Sequence, residues 1–432
     1  MNRDNLPIRT GLLRFATAGS VDDGKSTLIG RLLYDSKSLL ADHVTAIEAA
    51  SRKRGLSSID LSLLTDGLIA EREQGITIDV AYRYFATPAR KFIIADSPGH
   101  AQYTRNMVTA ASTADVAVLL VDAERGIQSQ TRRHALLSSW VGISRVVLAV
   151  NKLDRVGWSR ERFESIESEF RVLAKELGFE QISAIPVSAL LGDMVVERGT
   201  NLEWYRGPTL LEWLETAPAR HDEARGSQPL RFPVQRVVRV AQGQGRSDRV
   251  DADQDFRGWQ GTVASGQVAV GDEVAVAGSG QTARVTGVWL LERSVQSAQA
   301  DQAVTLTLDH EIDISRGDLL CSPRDAADIS RSIDAEICWF DAEPMVPERP
   351  YLLKLGTRQV RAMLSVPSER IEVETLSWTP GEGGLQMNDI ARVRVRTQQP
   401  LPFEPYASNR AGGAFILIDE LSKRTVGAGV VR

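Results

Sequence analysis

The chain has 432 residues, of which 43% are hydrophobic and 25% charged, and its formal net charge at pH 7 is -5. This length predicts two or three domains, and the acidic balance argues against strong nucleic-acid binding, so we expect no nucleic-acid partner. With only two cysteines, no signal-peptide pattern and no apolar run of about 20 residues, the sequence predicts a cytoplasmic protein without a membrane partner.

The first half of the sequence alternates short apolar runs with amphipathic stretches. The apolar runs predict buried strands at residues 12–18, 92–95, 116–121, 146–150 and 182–187. The amphipathic stretches, for example residues 104–111 and 160–177, predict helices. This alternation is typical of an α/β domain in which a doubly wound, mostly parallel sheet carries helices on both faces. Ligands bind such sheets at the carboxyl ends of the strands.

The sequence pattern changes after about residue 221. Residues 223–229 are polar and contain glycine and proline, which is typical of a linker. Beyond them apolar residues alternate with period two, and residues 261–276 predict a hairpin whose turn is Gly271-Asp272. A second such region starts near residue 333, and closed barrels are the usual way to remove sheet edges. We therefore predict an α/β domain at residues 1–222 and β-barrels at residues 228–328 and 330–432.

A phosphate-binding motif follows the first predicted strand. The pattern G-x-x-x-x-G-K-[ST] is matched by Gly19, Ser20, Val21, Asp22, Asp23, Gly24, Lys25 and Ser26, and Thr27 continues the predicted site. Glycines let backbone N–H groups wrap around phosphate, and the helix that follows adds its positive N-terminal end. We expect Lys25 to reach the β- and γ-phosphates and the Ser26 hydroxyl to bind Mg²⁺. Because an ordinary loop can match this pattern by chance, the assignment of a phosphate site depends on the motifs that follow.

Two further candidates follow the strand at residues 92–95. Asp96 can hold Mg²⁺, usually through water, and the Gly99 N–H can bind the γ-phosphate. An aspartate at a strand end is often only a helix cap, but the distance of Asp96 from the P-loop favours the magnesium site. His100 comes next, where a side chain can orient the water that attacks the bound nucleotide, and it is our candidate catalytic residue.

A base-recognition motif follows the strand at residues 146–150. It consists of Asn151, Lys152, Leu153 and Asp154. The carboxylate of Asp154 can accept hydrogen bonds from the N1–H and 2-amino groups of guanine, a pair of donors that adenine lacks. Backbone N–H groups after the next strand can complete the pocket, at Ser188, Ala189 and Leu190. An ordinary Asx-rich loop is the alternative, but a four-residue match at this point of a P-loop fold predicts GTP and GDP as ligands.

A switch segment that senses the γ-phosphate is predicted between the P-loop and Asp96. Its residues are Gly75, Ile76, Thr77, Ile78 and Asp79. Thr77 can offer a hydroxyl to Mg²⁺ and an N–H to phosphate. A threonine before a strand is most often explained by β-propensity alone. Its place in this order of motifs favours switch I.

These elements, followed by two β domains, resemble the translational GTPases of the elongation factor Tu and 1-alpha type over nearly the whole chain. The closest stretches are residues 96–107, D-S-P-G-H-A-Q-Y-T-R-N-M, and residues 424–431, R-T-V-G-A-G-V-V. The resemblance implies that His100 positions the attacking water and that Thr77 binds magnesium.

The P-loop departs from the usual sequence of those factors at Ser20, Asp23 and Ser26. The approach to switch I differs as well, at residues 32–37 (L-L-Y-D-S-K) and 64–85. These segments closely resemble the GTPase subunit of bacterial heteromeric sulfate adenylyltransferase (ATP sulfurylase). Residues 409–419, N-R-A-G-G-A-F-I-L-I-D, support the same placement.

This second resemblance implies a reaction and a partner. In that family the GTPase pairs with a smaller catalytic adenylyltransferase subunit, which makes adenosine 5′-phosphosulfate and pyrophosphate from ATP and sulfate. GTP hydrolysis drives this uphill step, so the resemblance implies GTP and Mg²⁺ as cofactors and a heteromer. Some relatives carry a fused adenylylsulfate kinase. Because no second P-loop motif follows Ser26, we expect that activity to be absent.

Two other functions stay open at this point. An elongation-factor-like carrier that delivers aminoacyl-tRNA would share the fold and the GTP site, and residues 34–36 and 65–68 discriminate against it. A free-standing GTPase switch without an enzymatic partner is the more remote alternative.

Overall fold

The computed structural model of the chain describes residues 11–37, 45, 51, 59–64, 79–219, 228–240, 256–291 and 293–432. The chain divides into two compact units, which we describe separately. The first comprises Met1–Arg220 with Val373–Leu376, and the second comprises His221–Glu372 with Ser377–Arg432.

The apolar runs of the first unit form a six-stranded sheet. Its strands are β1 (Leu12–Ala18), β2 (Ala81–Ala86), β3 (Lys91–Asp96), β4 (Val116–Asp122), β5 (Arg145–Asn151) and β6 (Gln181–Pro186). In the order β2-β3-β1-β4-β5-β6, β2 pairs antiparallel with β3 and every other pair is parallel. Every residue of β4 and β5 is buried, as expected for central strands that are covered on both faces.

Helices follow most of these strands along the chain. They are α1 (Lys25–Asp35), α2 (Thr104–Ser112), α3 (Ser129–Trp140), α4 (Arg160–Glu176) and α5 (Leu210–Thr216). Short 3₁₀ turns lie at Leu61–Leu64, Ala101–Tyr103 and Leu153–Val156. Polar caps fix where helices begin: the Ser159 hydroxyl accepts a 3.2 Å hydrogen bond from the Arg162 N–H at the start of α4. Loss of such a cap costs about 1 kcal/mol.

The parallel strands bring the predicted motifs to one edge of the sheet. β1 leads into the P-loop, β3 into Ser97 and β5 into Lys152. In register, Thr17 of β1 lies beside Asp96 of β3, and β4 and β5 end side by side. Carboxyl ends of neighbouring parallel strands meet at the same edge, which is where such sheets bind ligands.

Nine strands come first among the described residues of the second unit. They are β7 (Arg231–Val240), β8 (Phe256–Thr262), β9 (Gln267–Ala269), β10 (Glu273–Val276), β11 (Thr282–Leu290), β12 (Arg293–Val295), β13 (Ser297–Gln299), β14 (Ala303–Leu308) and β15 (Leu319–Cys321). Six of them follow the order β10-β15-β7-β8-β14-β11, and pairing of β10 with β11 closes the barrel. Buried aromatic side chains such as Phe232 and Trp259 fill its interior.

The hairpin predicted at residues 261–276 is wrong. The strands on either side of Gly271 pair elsewhere: β9 pairs with β13, and β10 pairs with β11 and β15. The turn itself exists, since Gly271 has a φ of 95°. Period-two alternation identifies a strand and its buried face, but it does not identify the partner strand, because pairing depends on residues distant in sequence.

Eight further strands form a second closed barrel in the same unit. They are β16 (Asp328–Trp339), β17 (Pro350–Leu355), β18 (Arg358–Leu364), β19 (Glu369–Ile371), β20 (Trp378–Pro380), β21 (Ile390–Phe403), β22 (Ala414–Ile418) and β23 (Thr425–Val431), with a short helix α6 (Arg410–Gly413) before β22. The order β16-β23-β22-β17-β18-β21 closes through pairing of β16 with β21. These strands account for the second region of period-two alternation that the sequence predicts from near residue 333.

These topologies confirm the predicted fold class, an α/β P-loop domain followed by two β-barrels. The bounds of the three predicted domains stay predictions, and most of the predicted linker at 223–229 lies outside the described residues. In the described part of the chain, no helix has the length and apolarity that a membrane span requires. Both cysteines, Cys321 and Cys338, are buried, and neither forms a disulfide.

Candidate functional site

The P-loop makes a left-handed turn immediately before α1. Gly24 has a φ of 93° and precedes the helix, and Asp22 has a φ of 69°. A Cβ atom at position 24 would lie 2.4 Å from the side-chain nitrogen of Asn151. Backbone conformation and space therefore both require glycine there. The motif lies in the strand–turn–helix context that phosphate binding needs.

Lys25 lies inside this turn. It is 7% exposed, and its Nζ donates hydrogen bonds to the carbonyl oxygens of Gly19 at 2.9 Å and Ser20 at 3.0 Å. Burial lowers the pKa of the Lys25 ammonium, and the carboxylates of Asp96 and Asp23 oppose that shift. A phosphate would give this buried cation stronger, charged acceptors than the two carbonyls do.

Asp23 and Ser20 hold the P-loop together from within. The Asp23 carboxylate is buried and accepts a 2.6 Å hydrogen bond from the Ser20 N–H. Burial raises the pKa of this carboxyl, while the Ser20 hydrogen bond and the Lys25 charge oppose the shift. The Ser20 hydroxyl oxygen is buried, and no hydrogen-bond partner for it occurs among the described residues. A buried hydroxyl without a hydrogen-bond partner costs free energy, so a polar ligand in the loop would suit this position.

Asp96 and Gly99 lie beside the P-loop. Asp96 is 1% exposed and accepts a 3.2 Å hydrogen bond from the Thr17 hydroxyl of neighbouring β1. The Ser97 hydroxyl donates to the Thr17 carbonyl at 2.6 Å, which ties the two strand ends together. A Cβ atom at Gly99 would lie 2.5 Å from the Nζ of Lys25. Glycine therefore lets the chain pass directly against the P-loop, as the predicted γ-phosphate contact requires.

The other predicted phosphate-site residues begin α1 or precede it. Ser26 and Thr27 are half-buried in the first turn of the helix, where backbone N–H groups lack partners within the helix. The Val21 carbonyl accepts a 3.4 Å hydrogen bond from the guanidinium of Arg125. The positive end of the helix thus points toward the loop that precedes it.

His100 is exposed just before the 3₁₀ turn at Ala101–Tyr103. Its Nδ1 accepts a 3.3 Å hydrogen bond from the Gln102 N–H. The imidazole makes an edge contact with the ring of Tyr103, with centroids 6.2 Å apart. Because it follows Gly99 directly, it is attached next to the P-loop, and its catalytic role stays a prediction.

Most of the predicted switch I lies outside the described residues: Gly75, Ile76, Thr77 and Ile78. The assignment of Thr77 as a magnesium ligand therefore stays a prediction. Asp79 is described and exposed, and its carboxylate accepts a 2.8 Å hydrogen bond from the Val80 N–H just before β2.

Asn151 joins the P-loop to the loop at residues 188–192, which we call the base-recognition loop. Its side-chain nitrogen donates to the Asp23 carbonyl at 2.8 Å, and its side-chain oxygen accepts from the Ala189 N–H at 2.9 Å. Asn151 is 2% exposed. Both ends of the amide are used within the protein, so this side chain fixes the distance between the two loops.

An ion pair between Lys152 and Asp122 makes a second link to the P-loop. The Lys152 Nζ lies 2.8 Å from the Asp122 carboxylate and donates to the Asp22 carbonyl at 2.6 Å. Burial alone raises the pKa of the Asp122 carboxyl, but hydrogen bonds from Lys152 and the Glu124 N–H outweigh it and hold the pKa below its ordinary value. The ammonium is thus held between a carboxylate and the phosphate-binding turn.

Asp154 and Ser188 form the predicted base pocket. The Ser188 hydroxyl donates a 2.7 Å hydrogen bond to the Asp154 carboxylate, and the Ser188 N–H donates to the Asp193 carbonyl at 3.1 Å. The Ala189 N–H is taken by the asparagine amide of the preceding motif. No partner of the Leu190 N–H lies among the described residues. Of the three predicted backbone donors, Leu190 is therefore the one whose N–H is available.

Sequence reasoning missed three residues of this site. Thr17 and Asp122 lie at the carboxyl ends of β1 and β4, and the rule that ligands bind at such ends could have found them. Arg31 of α1 contacts the Ala189 carbonyl across 158 residues of sequence, and no local pattern signals that contact.

His134 is buried in α3, beneath the surface of the first unit. The Gln130 side-chain amide donates to its Nε2 at 2.9 Å. Burial, with smaller contributions from the charges of Lys25 and Arg133, lowers the pKa of His134 to about 3. The ring is therefore neutral at physiological pH.

Two family models match the chain. The Elongation factor Tu GTP binding domain matches residues 10–219, and the GTP-eEF1A C-terminal domain-like family matches residues 332–432. The first match covers the P-loop, the base-recognition loop and every strand of the six-stranded sheet. The second covers most of the second barrel.

Whole-chain relatives are also similar. Bifunctional enzyme NodQ of Rhizobium sp. (strain N33) is 49% identical over 98% of this chain. Sulfate adenylyltransferase subunit 1 of Cellvibrio japonicus (strain Ueda107) is 48% identical over 97% of this chain and 86% of its own length. The subunit 1 of Shewanella woodyi (strain ATCC 51908 / MS32) is 45% identical over 98% of this chain and 87% of its own length.

The chain spans 64% of the length of NodQ and most of the length of the subunit 1 relatives. Identity of this degree over nearly the whole chain establishes common descent and a common fold. The chain belongs to the family of sulfate adenylyltransferase subunit 1, with a GTP-binding domain of the elongation factor Tu type.

Proposed function

We propose that the first unit binds GTP and hydrolyses it to GDP. The observation that carries this proposal is the bridge made by Asn151, which connects the P-loop at Asp23 to the base-recognition loop at Ala189. A phosphate site and a base site held in one hydrogen-bonded frame suit a single nucleotide. Distances within that frame are set before a ligand binds, which lowers the entropic cost of binding.

Guanine is the base that the pocket chemistry selects. A carboxylate can accept several hydrogen bonds, so Asp154 can accept from Ser188 and also from the N1–H and 2-amino groups of guanine. Adenine would leave the carboxylate without those donors. The Leu190 N–H can meet O6 of guanine, whereas the 6-amino group of adenine would oppose it donor to donor.

The phosphates suit the P-loop for two reasons. Lys25 is buried and bonded only to weak neutral acceptors, and the Ser20 hydroxyl has no partner in the described part of the chain. Both groups gain charged acceptors when phosphate enters. We propose backbone N–H groups of residues 19–27 and of Gly99 as the remaining donors.

Mg²⁺ fits the oxygen donors beside the P-loop. This ion prefers oxygen ligands and is usually held by one or two protein groups together with phosphates and water. We propose Asp96 and Ser26 as its protein contacts, with Thr77 of switch I as a third. Among the described residues no group of three His, Cys, Asp or Glu side chains could hold a metal. When bound, the ion offsets negative charge on the phosphates.

His100 is the residue that we propose for the hydrolytic step. Phosphoryl transfer needs little covalent chemistry from a protein, because positioning and charge stabilisation account for most of the catalysis. An imidazole on the exposed segment after Gly99 can orient the water that attacks the γ-phosphorus. Lys25 then stabilises the charge on the oxygens between the β- and γ-phosphates.

We further propose that this hydrolysis drives the synthesis of adenosine 5′-phosphosulfate and pyrophosphate from ATP and sulfate. The support is the name of the subunit 1 relatives, which are parts of a sulfate adenylyltransferase. A numbered subunit implies a second one, and we propose a smaller catalytic adenylyltransferase subunit as the partner, in a cytoplasmic heterodimer. Switch I at residues 75–79 is the candidate element that reports the γ-phosphate to this partner.

Delivery of aminoacyl-tRNA is the alternative function. It would use the same GTP site and the same fold. The relatives at 45–48% identity that are named for sulfate adenylylation favour the metabolic function instead.

Reconstitution tests the proposal. The chain is purified with and without the small subunit of the same organism, and sulfate-dependent pyrophosphate release from ATP is measured while GTP is varied. We expect release by the pair to rise with GTP and to saturate, and we expect little release by either subunit alone. Release that is independent of GTP would contradict the coupling, and binding of aminoacyl-tRNA in the presence of GTP would support the alternative.

A further inference from the structure

Arg31 connects the P-loop helix to the base-recognition loop. It lies in α1, six residues after Lys25, and its side chain is 18% exposed. Its Nε donates to the Ala189 carbonyl at 3.1 Å, and its Nη2 donates to the Leu190 carbonyl. Its Nη1 lies 3.5 Å from the carboxylate of Asp35, one turn further along the helix. All three guanidinium nitrogens therefore have a partner.

The loop beneath Arg31 is shaped to receive this side chain. Gly192 has a φ of 95°, and a Cβ atom there would lie 3.6 Å from the Cδ of Arg31. The Gly192 N–H donates to the Ser188 carbonyl at 2.7 Å and closes the turn that contains Ala189 and Leu190. The stem of Arg31 therefore passes over the closing residue while its head reaches the two carbonyls.

The contact with the Ala189 carbonyl fixes more than one atom. A peptide group is planar and trans, so its C=O and N–H point in opposite directions. The carbonyl of Ala189 and the N–H of Leu190 belong to the same peptide group. Holding the carbonyl toward Arg31 therefore directs the Leu190 N–H away from α1.

That N–H is the available donor of the loop. The Ser188 N–H is bonded to Asp193 and the Ala189 N–H to Asn151, while no partner of the Leu190 N–H occurs in the described part of the chain. A fixed donor at this place distinguishes an oxygen at position 6 of a purine from an amino group, since only the oxygen can accept. Asp154 reads the opposite side of the base ring.

We propose that Arg31 is a positioning residue for purine selectivity, which orients the Ala189–Leu190 peptide so that the Leu190 N–H is presented to O6 of guanine. The proposal rests on the proposed binding of GTP. It assigns to α1 a second role beside phosphate binding. An arginine suits this role because its planar fork directs N–H donors from two different nitrogens at two adjacent carbonyls in a fixed geometry.

The test compares two nucleotides. The dissociation constant of GDP is measured for each variant, together with that of the 5′-diphosphate of 2-aminopurine riboside, which keeps the 2-amino group but lacks O6 and the N1 hydrogen. We expect Arg31→Ala to weaken GDP about tenfold, the effect of one lost hydrogen bond to a buried group, and to leave the analogue nearly unchanged. Arg31→Lys should fall between the wild type and Arg31→Ala.

The matched control is Arg160→Ala. Arg160 also pairs with an acidic residue one turn away, Glu164, but both side chains are exposed, and no bond from Arg160 to the loop occurs in the described part of the chain. We expect both dissociation constants to stay at their wild-type values. Circular dichroism reports whether each variant is folded, and Arg31→Lys carries the test if Arg31→Ala is not.

The outcomes separate the two proposals. Loss of GDP preference with an unchanged analogue supports the positioning role. An unchanged preference, or an equal loss for both nucleotides, in folded variants of a wild type that prefers GDP overturns the role of Arg31 alone. A wild type that does not prefer GDP over the analogue overturns the proposed guanine site as well.

Discussion

The hydroxyl of Ser188 donates a 2.7 Å hydrogen bond to the carboxylate of Asp154, although 34 residues separate them in sequence. Ser188 is fully buried, and its hydroxyl oxygen also accepts from the Leu191 N–H at 3.3 Å. The carboxylate that we propose as the guanine reader is thus oriented before any base arrives. Such preorganisation means that a change at either residue alters base selectivity more than it alters phosphate binding.

Lys25 gives the first prediction. Replacing it with alanine removes the buried cation of the P-loop, so we expect the affinity for GTP to fall at least about a hundredfold, and GTP-dependent sulfate activation to fall with it. Titration with a fluorescent GTP analogue measures the change. Lys175→Ala, an exposed lysine in the last turn of α4, is the control and should bind normally. Retained affinity in Lys25→Ala would contradict the phosphate assignment.

Asp96 gives the second prediction. Asp96→Asn keeps the size and an acceptor for the Thr17 hydroxyl but removes the charge. We expect the Mg²⁺ concentration for half-maximal GTP binding to rise at least about tenfold. Asp115→Asn is the matched control, because Asp115 is also buried but precedes β4, at the edge of the sheet away from the P-loop. There its carboxylate accepts a 2.8 Å hydrogen bond from the Arg14 N–H. An Asp96→Asn variant with the magnesium dependence of the wild type would exclude Asp96 as a contact of the ion.

His100 gives the third prediction. His100→Ala should slow GTP hydrolysis at least about tenfold and change the GTP dissociation constant little, because the ring orients water and contacts no phosphate in our proposal. Single-turnover hydrolysis is measured with saturating enzyme, alone and with the small subunit. A variant that turns over at the wild-type rate in both conditions would assign water positioning to another residue.

His134 gives a prediction about pH. Its pKa is lowered from 6.5 to about 3 in the folded protein, so the unfolded chain binds the proton more readily. The contribution of the neutral His134 ring to the free energy of unfolding is therefore fully present above pH 6.5 and is lost as pH falls toward 3. At pH 5 this single group should already cost about 2 kcal/mol of unfolding free energy. Chemical denaturation at pH 7 and at about pH 5 measures the loss.

His134→Gln should lose less stability on acidification than the wild type does, because the variant has no ring to protonate. His310→Gln is the control, since His310 is exposed and bonded to Asp309. If His134→Gln and the wild type show the same loss between the two pH values, the acid sensitivity belongs to other groups.

The sequence predicts the P-loop side of the site well, because each element there is local. Residues 12–18 are one apolar run, and they form β1 with the same bounds. Gly24 and Lys25 act through a turn that the motif itself encodes. A motif of this kind can be recognised from the sequence alone, because its residues are adjacent and act within one turn.

Long-range contacts are what the sequence does not predict. Arg31 and Ala189 lie 158 residues apart, and an arginine in an amphipathic helix gives no sign that it will bond to a distant carbonyl. The same limit explains the wrong hairpin at Gly271, where the strand pattern is correct but the partner strand is not. Pairing and bridging depend on how elements pack, which a single sequence does not state.

Asn151 shows a partial success. The sequence assigns it to guanine binding through its motif, and the structure places it between the P-loop and Ala189 with both ends of its amide engaged. Its position is predicted by the motif, but its partners lie in the loops that follow β1 and β6, which the parallel sheet brings to the same edge as the end of β5. We therefore expect substitution of Asn151 to weaken the binding of all nucleotides, whereas substitution of Asp154 should change which base is preferred.

The most direct test of the proposed function changes which nucleoside triphosphate drives sulfate activation. Asp154→Asn replaces one acceptor by an amide nitrogen, which can donate to O2 of xanthine while its oxygen accepts from N1–H. Sulfate-dependent pyrophosphate release by the chain with its small subunit is measured with GTP or xanthosine triphosphate. We expect the wild type to respond to GTP and the Asp154→Asn variant to respond to xanthosine triphosphate. A variant that still responds to GTP alone, or a wild type that responds to neither nucleotide, would contradict it.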